Sequence, residues 1–130
     1  MEKFSINLIF STLATVATVI FGGFDLALQS LLIIILIDYI TGVLSAIYNK
    51  KLSSKIGLKG ILKKFCYLLI VALAVVLDNL LQLNSIVRNG VIYFLIANDG
   101  ISVIENVGNM GIKLPKKITQ YFEQLKNEEE

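Results

Sequence analysis

The fold of this chain is decided by an uninterrupted apolar run, Leu31-Leu32-Ile33-Ile34-Ile35-Leu36-Ile37. The run lies inside a longer apolar segment, residues 26–48, whose only charged residue is Asp38. At a rise of about 1.5 Å per residue, some 20 apolar residues cross the hydrocarbon core of a bilayer. The segment therefore predicts a transmembrane helix.

The composition of the whole chain agrees with a membrane location. Its 130 residues are 55% hydrophobic and 17% charged, with a mean hydropathy of +0.74, which is too apolar for a soluble domain of this size. Further spans are predicted at residues 4–21, 65–83 and 87–107. The prediction is an all-α, polytopic membrane protein, with a transmembrane domain at residues 1–112 and a charged cytoplasmic helix or tail at residues 113–130.

Two alternatives concern the ends of this domain. A signal peptide at the N-terminus is rejected, because Lys3 is a thin basic region and no small-residue cleavage site follows. A three-span topology, with residues 87–107 lying on the membrane surface as an amphipathic helix, is the weaker alternative because it leaves the tail lysines outside.

The placement of lysines predicts the orientation. Short loops rich in Lys and Arg stay in the cytoplasm, so the connection between the second and third spans should be cytoplasmic, as should both termini. The cytoplasmic membrane of a bacterial cell is the expected location. We expect the lysines of this loop to contact anionic headgroups at the membrane surface. They are Lys50, Lys51, Lys55, Lys59, Lys63 and Lys64.

Catalysis is not indicated. The chain has no His and a single cysteine, Cys66, and it shows no phosphate loop, metal-ligand cluster or nucleophile–base pair. We therefore expect a protein that is not an enzyme, with no cofactor, no metal and no nucleic-acid partner.

Small and polar residues mark helix-packing faces in lipid, where no hydrophobic force brings helices together. The first span has such a face at Ser11, Thr15 and Thr18. The second has one at Asp38, Thr41, Gly42, Ser45 and Ala46. Packing within one chain and self-association of several copies both remain open for these faces.

Four acidic residues lie in or near the spans: Asp38, Asp78, Asp99 and Glu105. An ionised acid in hydrocarbon is costly, so each must be neutral, paired or hydrated. Asp78 is expected to be structural, because it lies near the outer end of its span. The fourth span carries a polar stripe of Asn98, Asp99, Ser102, Glu105 and Asn106. This stripe predicts either the lining or gate of a pore in a ring of copies, or burial against Asp38 and the first span.

Several stretches together resemble the small phage lysis holins and toxin-secretion holins of the clostridial type. They are residues 37–46 (IDYITGVLSA), 50–61 (KKLSSKIGLKGI) with Lys63-Lys64, 76–78 (VLD) and 97–106 (ANDGISVIEN). The resemblance covers roughly residues 26–125. It departs from the family pattern at Asp99, where a Glu is usual.

The resemblance implies a bacteriophage or toxin-secretion holin. Such a protein forms homo-oligomers in the lipid bilayer and opens lesions that release an endolysin or a large toxin, with host cell lysis as the result. A small ion channel or proton-coupled carrier is one alternative, although the chain shows no internal repeat. An antiholin or membrane adaptor is another.

Overall fold

The computed structural model describes residues 1–127, and every regular element in that range is a helix. The helices are α1 (Glu2–Phe21), α2 (Leu26–Tyr48), α3 (Ser54–Leu81), α4 (Ile86–Gly108) and α5 (Lys116–Asn127). The first four are long and apolar enough to cross a membrane. The all-α prediction is confirmed, whereas the last three glutamates of the predicted tail lie outside the described residues.

A tight turn joins α1 to α2. Gly22 ends α1 in the left-handed conformation (φ 79°), which glycine adopts at little cost. Asp25 then caps α2, because its carboxylate accepts a hydrogen bond from the Leu28 amide at 3.0 Å. The second helix has the bounds that the sequence predicts.

The third helix begins earlier than the apolar window at Phe65 suggests. Ser53 caps it by accepting a hydrogen bond from the Ile56 amide at 3.2 Å, so the expected basic loop forms the first turns of α3. Hydropathy alone misses these turns, because their lysines are polar but are good helix formers. The 28 residues of α3 span about 42 Å, which exceeds the roughly 30 Å hydrocarbon core.

The turn between α3 and α4 is held by a side chain from α3. The Asp78 carboxylate accepts hydrogen bonds from the amides of Val87 (2.9 Å) and Arg88 (2.8 Å), which are otherwise unpaired at the start of α4. Asp78 therefore caps the neighbouring helix, in keeping with the structural role expected for it.

Helix α4 is central, because α2, α3 and α5 all pack against it. The buried core between these helices consists of Leu31, Tyr67, Val71, Ile92, Leu95 and Ile96. By contrast, α1 has no buried residue and contacts mainly α3. Most exposed residues of α1, of α2 and of α3 after Lys63 are apolar, as helices that face lipid require.

Helix α5 folds back along α4 in the antiparallel direction. Phe122 of α5 lies on Gly100 of α4, and four residues later the Lys126 amine lies 5.5 Å from the ring centre of Phe94. Pro115 precedes the helix, at a position compatible with a helix start.

Arg88 connects the α1–α2 turn to the α3–α4 turn. Its side chain is buried, with the residue 2% exposed, and donates two hydrogen bonds to the Asp25 carboxylate at 2.8 and 2.9 Å. It also donates to the carbonyl oxygens of Phe21 (2.5 Å) and Gly23 (3.1 Å). Hydrogen bonding to this guanidinium is the main cause that lowers the pKa of Asp25 from its usual 3.8 to about 2.

This contact predicts a pH dependence of stability. Because the pKa of Asp25 is depressed in the folded chain, its stabilising effect is present above pH 3.8 and is lost as the pH falls through about 2. We expect Asp25→Asn, which retains the cap, to lower the free energy of unfolding at neutral pH by about 1 kcal/mol, since the half-exposed carboxylate is screened by solvent.

Thermal unfolding in detergent, followed between pH 5 and 2, checks this expectation. The wild-type chain should lose more stability over this range than Asp25→Asn. Equal pH dependence of the two proteins would contradict it.

Candidate functional site

The most unusual site in the chain is a group of three charged side chains between the apolar helices. The Lys64 amine of α3 donates a hydrogen bond to Asp38 Oδ2 of α2, and another to Asp99 Oδ1 of α4 at 2.7 Å. Asp99 is only 1% exposed, and Asp38 is also buried. One ammonium group therefore joins three helices through two buried carboxyl groups.

Amide and hydroxyl groups extend this site in both directions. The Asn106 Nδ2 group donates to Asp38 Oδ1 and to Thr41 Oγ1, both at 3.0 Å. On the other side, Asn98 Nδ2 donates to the Tyr67 hydroxyl at 2.7 Å. The Lys64 amine lies 4.9 Å from the ring centre of Tyr67, within the range of a cation–π contact. We call these residues the polar network; it consists of Asp38, Thr41, Lys64, Tyr67, Asn98, Asp99 and Asn106.

The polar network contains two carboxyl groups for one ammonium group. Asp99 Oδ2 is buried and has no hydrogen-bond partner among residues 1–127. A buried charge that loses its partner is costly, so Lys64 is the residue on which both acids depend. Within the same range, no group of three or more His, Cys, Asp or Glu residues could hold a metal ion.

A cleft of about 270 Å³ adjoins the polar network between α2, α3 and α4. Asp38, Lys64 and Asn106 lie on its wall, together with Ser102, and the cleft continues towards Leu52 after the end of α2. It is open rather than enclosed, so polar side chains of α4 lie next to space that a few water molecules can occupy.

The polar stripe predicted on α4 is divided by the structure. Asn98, Asp99 and Asn106 turn towards α2 and α3 and belong to the polar network, while Ser102 faces the cleft. Glu105 is exposed. In the single copy, most of the stripe therefore has partners within the chain.

The predicted packing face of α2 lies against α4. Thr41 accepts a hydrogen bond from Asn106, and a Cβ atom at Gly42 would lie 3.5 Å from the Asn106 amide nitrogen. Ser45 is buried, and Ala46 lines the cleft. This face is occupied within one chain.

The predicted face of α1 has no such partner. The hydroxyls of Thr15 and Thr18 donate at 2.8 Å to the carbonyls of Ser11 and Ala14 in the same helix, and all of these residues are exposed. The hydroxyl groups are satisfied without a neighbouring helix, so α1 presents a small, hydrogen-bonded surface to its surroundings.

Sequence reasoning missed the roles of Lys64 and Arg88. Lys64 was grouped with the loop lysines, but the structure places it inside the helix bundle, whereas its neighbour Lys63 remains exposed. The sequence did contain a signal for the burial of Lys64, because adjacent residues point to different sides of a helix and Asp38 in the neighbouring span needed a cation. Arg88 and Asp25 have opposite signs and lie next to turns that the four-span prediction puts on the same side of the membrane, so they could have been paired. The other predicted loop lysines, Lys50, Lys51, Lys55 and Lys59, are exposed.

Comparison with known proteins places most of the chain in one family. The model of the bacteriophage holin family matches residues 15–127. An uncharacterized 14.9 kDa protein of Clostridium perfringens is 43% identical over 117 residues, 89% of each chain. The Bacillus subtilis protein YqxH, also uncharacterized, is 38% identical over 130 residues, covering all of this chain and 92% of its own.

A relative with a functional name is the probable holin of Bacillus phage phi105. It is 36% identical over 92 residues, which is 71% of this chain and 68% of the phage protein. No solved structure shows a significant match to the chain.

The polar network predicts that two adjacent lysines differ sharply in their effect on stability. We expect Lys64→Gln to lower the free energy of unfolding by about 3 kcal/mol, because it leaves two buried carboxyl groups without their cation. The matched variant Lys63→Gln should change it by less than about 0.5 kcal/mol, since this lysine is exposed. Unfolding of the purified chain in detergent provides the measurement. Similar losses in both variants would contradict a structural role for the buried ion pairs.

Proposed function

The chain belongs to the bacteriophage holin family, and from this premise we propose that it assembles in the cytoplasmic membrane into lesions that release a cell-wall hydrolase or a large toxin. The observation that carries the proposal is that α4, a helix long and apolar enough to span a bilayer, contributes buried polar side chains to the polar network. Polar side chains within a membrane span make its insertion into lipid less favourable, so their presence indicates a functional role.

The proposed mechanism exchanges the partners of α4. In the single copy, the polar groups of α4 are paired with α2 and α3. In the lesion, we propose that several copies present the stripe to water, so that hydration replaces the bonds made by Lys64. The groups that would line or gate the lesion are Asn98, Asp99, Ser102, Glu105 and Asn106. No catalytic step is involved.

Self-association is proposed to use α1 first. Its face of Ser11, Thr15 and Thr18 is exposed, and the hydroxyls of Thr15 and Thr18 are already bonded within the helix, which allows close helix contact at little cost. The α2 face around Gly42 becomes available only when α2 and α4 separate, because Asn106 lies against it in the single copy.

The orientation is proposed from the lysines at the start of α3. Lys55, Lys59 and Lys63 are exposed and recur every four residues, so they share one side of the helix. Because α3 is longer than the hydrocarbon core, its first turns extend to the headgroups, where each lysine contributes about 1 kcal/mol on an anionic leaflet. We therefore propose that the α2–α3 connection and both termini lie in the cytoplasm.

Regulated expression in a bacterium together with a cytosolic wall hydrolase tests the function. We expect an abrupt loss of viability and release of the hydrolase. A proton-coupled carrier would leave the hydrolase inside, and an antiholin or adaptor would not kill the cell when expressed alone, so either result would contradict the proposal.

In the same assay, the doubly substituted chain Asp99→Asn, Glu105→Gln should delay or abolish lysis, because it removes the charges whose hydration favours the open lesion. Asp99→Glu is the charge-preserving control and should lyse near the normal time. Immunoblots of membrane fractions establish equal accumulation. Normal timing in the double variant would exclude the stripe as the lesion lining.

The topology is tested by labelling single cysteines on a Cys66→Ser background. Phe24→Cys lies in the exposed α1–α2 turn and should react with an impermeant reagent added outside the cell. Lys113→Cys, exposed after α4, should react only after the membrane is opened. Labelling of Phe24→Cys only from the inside would reverse the orientation.

A further inference from the structure

Helix α5 occupies a groove on α4 that depends on one glycine. The Phe122 ring fills the space where a Cβ atom of residue 100 would lie, so even an alanine there would overlap it. Phe122 and Leu125 also pack against the buried core, and Ile118 is half-buried on the same side of α5. The groove therefore holds α5 by its apolar face.

This position conflicts with a lipid environment around α4. The Lys126 amine lies over Phe94, which is about 21 Å along α4 from its end at Gly108 and so past the middle of a hydrocarbon core of about 30 Å. The outer face of α5 carries Lys117, Gln120 and Glu123, all exposed. Facing acyl chains, such groups are costly, so lipid around α4 weakens the binding of α5 in the groove.

We propose that α5 has an alternative partner, the surface of an anionic lipid leaflet, and exchanges the α4 groove for it when α4 crosses the membrane. This inference rests on the proposed function only in taking α4 as a span. After release, Ile118, Phe122 and Leu125 form one apolar face, at the spacing that lets an amphipathic helix lie between headgroups and acyl chains.

Charge near the start of α5 favours anionic rather than neutral headgroups. Lys113, Lys116 and Lys117 are exposed just before and at the start of α5, whereas the charges further along the helix offset each other and three glutamates, residues 128–130, follow it in the sequence. Each lysine near an anionic surface contributes about 1 kcal/mol. The apolar face allows α5 to insert below the headgroups, and these lysines give it a preference for anionic lipids.

The test uses the absence of tryptophan in this chain. Tyr121→Trp introduces one reporter beside the apolar face of α5, at a residue that is 64% exposed. The purified full-length variant is placed in vesicles of phosphatidylcholine with increasing phosphatidylglycerol, and lipids brominated near the headgroup or deep in the chain quench its fluorescence. We expect shallow bromines to quench at least about twofold more than deep ones in the anionic vesicles, and high salt to weaken this difference.

Two matched glycine variants test the exchange itself. Gly100→Ala closes the groove and should reach half-maximal shallow quenching at about half the phosphatidylglycerol fraction that the parent needs, a shift equivalent to a roughly twofold change in the equilibrium. Gly108→Ala is the control on the same helix, because a Cβ there meets nothing within 4 Å, and it should match the parent.

Three results would overturn the inference. Stronger deep quenching at every lipid composition would mean that α5 stays along α4. Shielding from bromines at both depths and from aqueous iodide would mean that protein, such as a second copy, covers it. Equal midpoints for the two glycine variants would mean that groove and leaflet do not compete. None of these measurements requires a lesion to open, so failure of the lysis assay would be a separate result.

Discussion

The ammonium group of Lys64, shared by two carboxyl groups, is the interaction on which the arrangement of α2, α3 and α4 depends. Apolar helices in lipid gain little by packing together, since acyl chains solvate them equally well. A cation that must satisfy acids on two neighbouring helices removes this freedom, because sliding any one helix by a turn would separate a charged pair. The ion pairs thus fix both the neighbours and the register of the three helices.

A second fixed point lies at the start of α4. Arg88 joins the α1–α2 turn to the start of α4, and Asp78 joins α3 to the same place. Ion pairs and hydrogen bonds at these two points connect α4 to its neighbours. By contrast, α1 is attached near its end and α5 by its apolar face, both at the periphery of the bundle. The molecule therefore combines a tightly bonded centre with two peripheral helices, an arrangement that fits the proposed accumulation and later reorganisation of the chain in the membrane.

The number and kind of elements could be predicted from the sequence because a membrane span needs only length and hydropathy. The bounds of α2 follow from its turn residues, and the positions of the acidic residues within the spans indicated that each needed a cation or a hydrogen-bond donor nearby. The partners themselves could not be derived in the same way. From the sequence, Lys64 resembles the other lysines of the loop, because nothing shows that Ser53 caps α3 and that the helix starts before Lys64. Only the packed structure shows towards which neighbouring helix a lysine of α3 points.

For the polar stripe too, the sequence predicts the position of the residues but not their partners. Helical periodicity places its members together, but whether they meet water, another copy or the same chain depends on distances between helices that periodicity does not contain. The docking of Phe122 on Gly100 had no signal beyond a glycine in a helix and an amphipathic tail.

The order in which the chain is synthesised gives the ion pairs a further consequence. Asp38 leaves the ribosome 26 residues before Lys64, and Lys64 leaves 35 residues before Asp99. Helix α2 thus reaches the insertion machinery with an unpaired acid, which disfavours its early transfer into lipid. Pairing of Asp38 with Lys64 lowers this cost once α3 has emerged, so we expect α2 and α3 to enter the bilayer together and α4, which brings Asp99 to the same lysine, to join them afterwards.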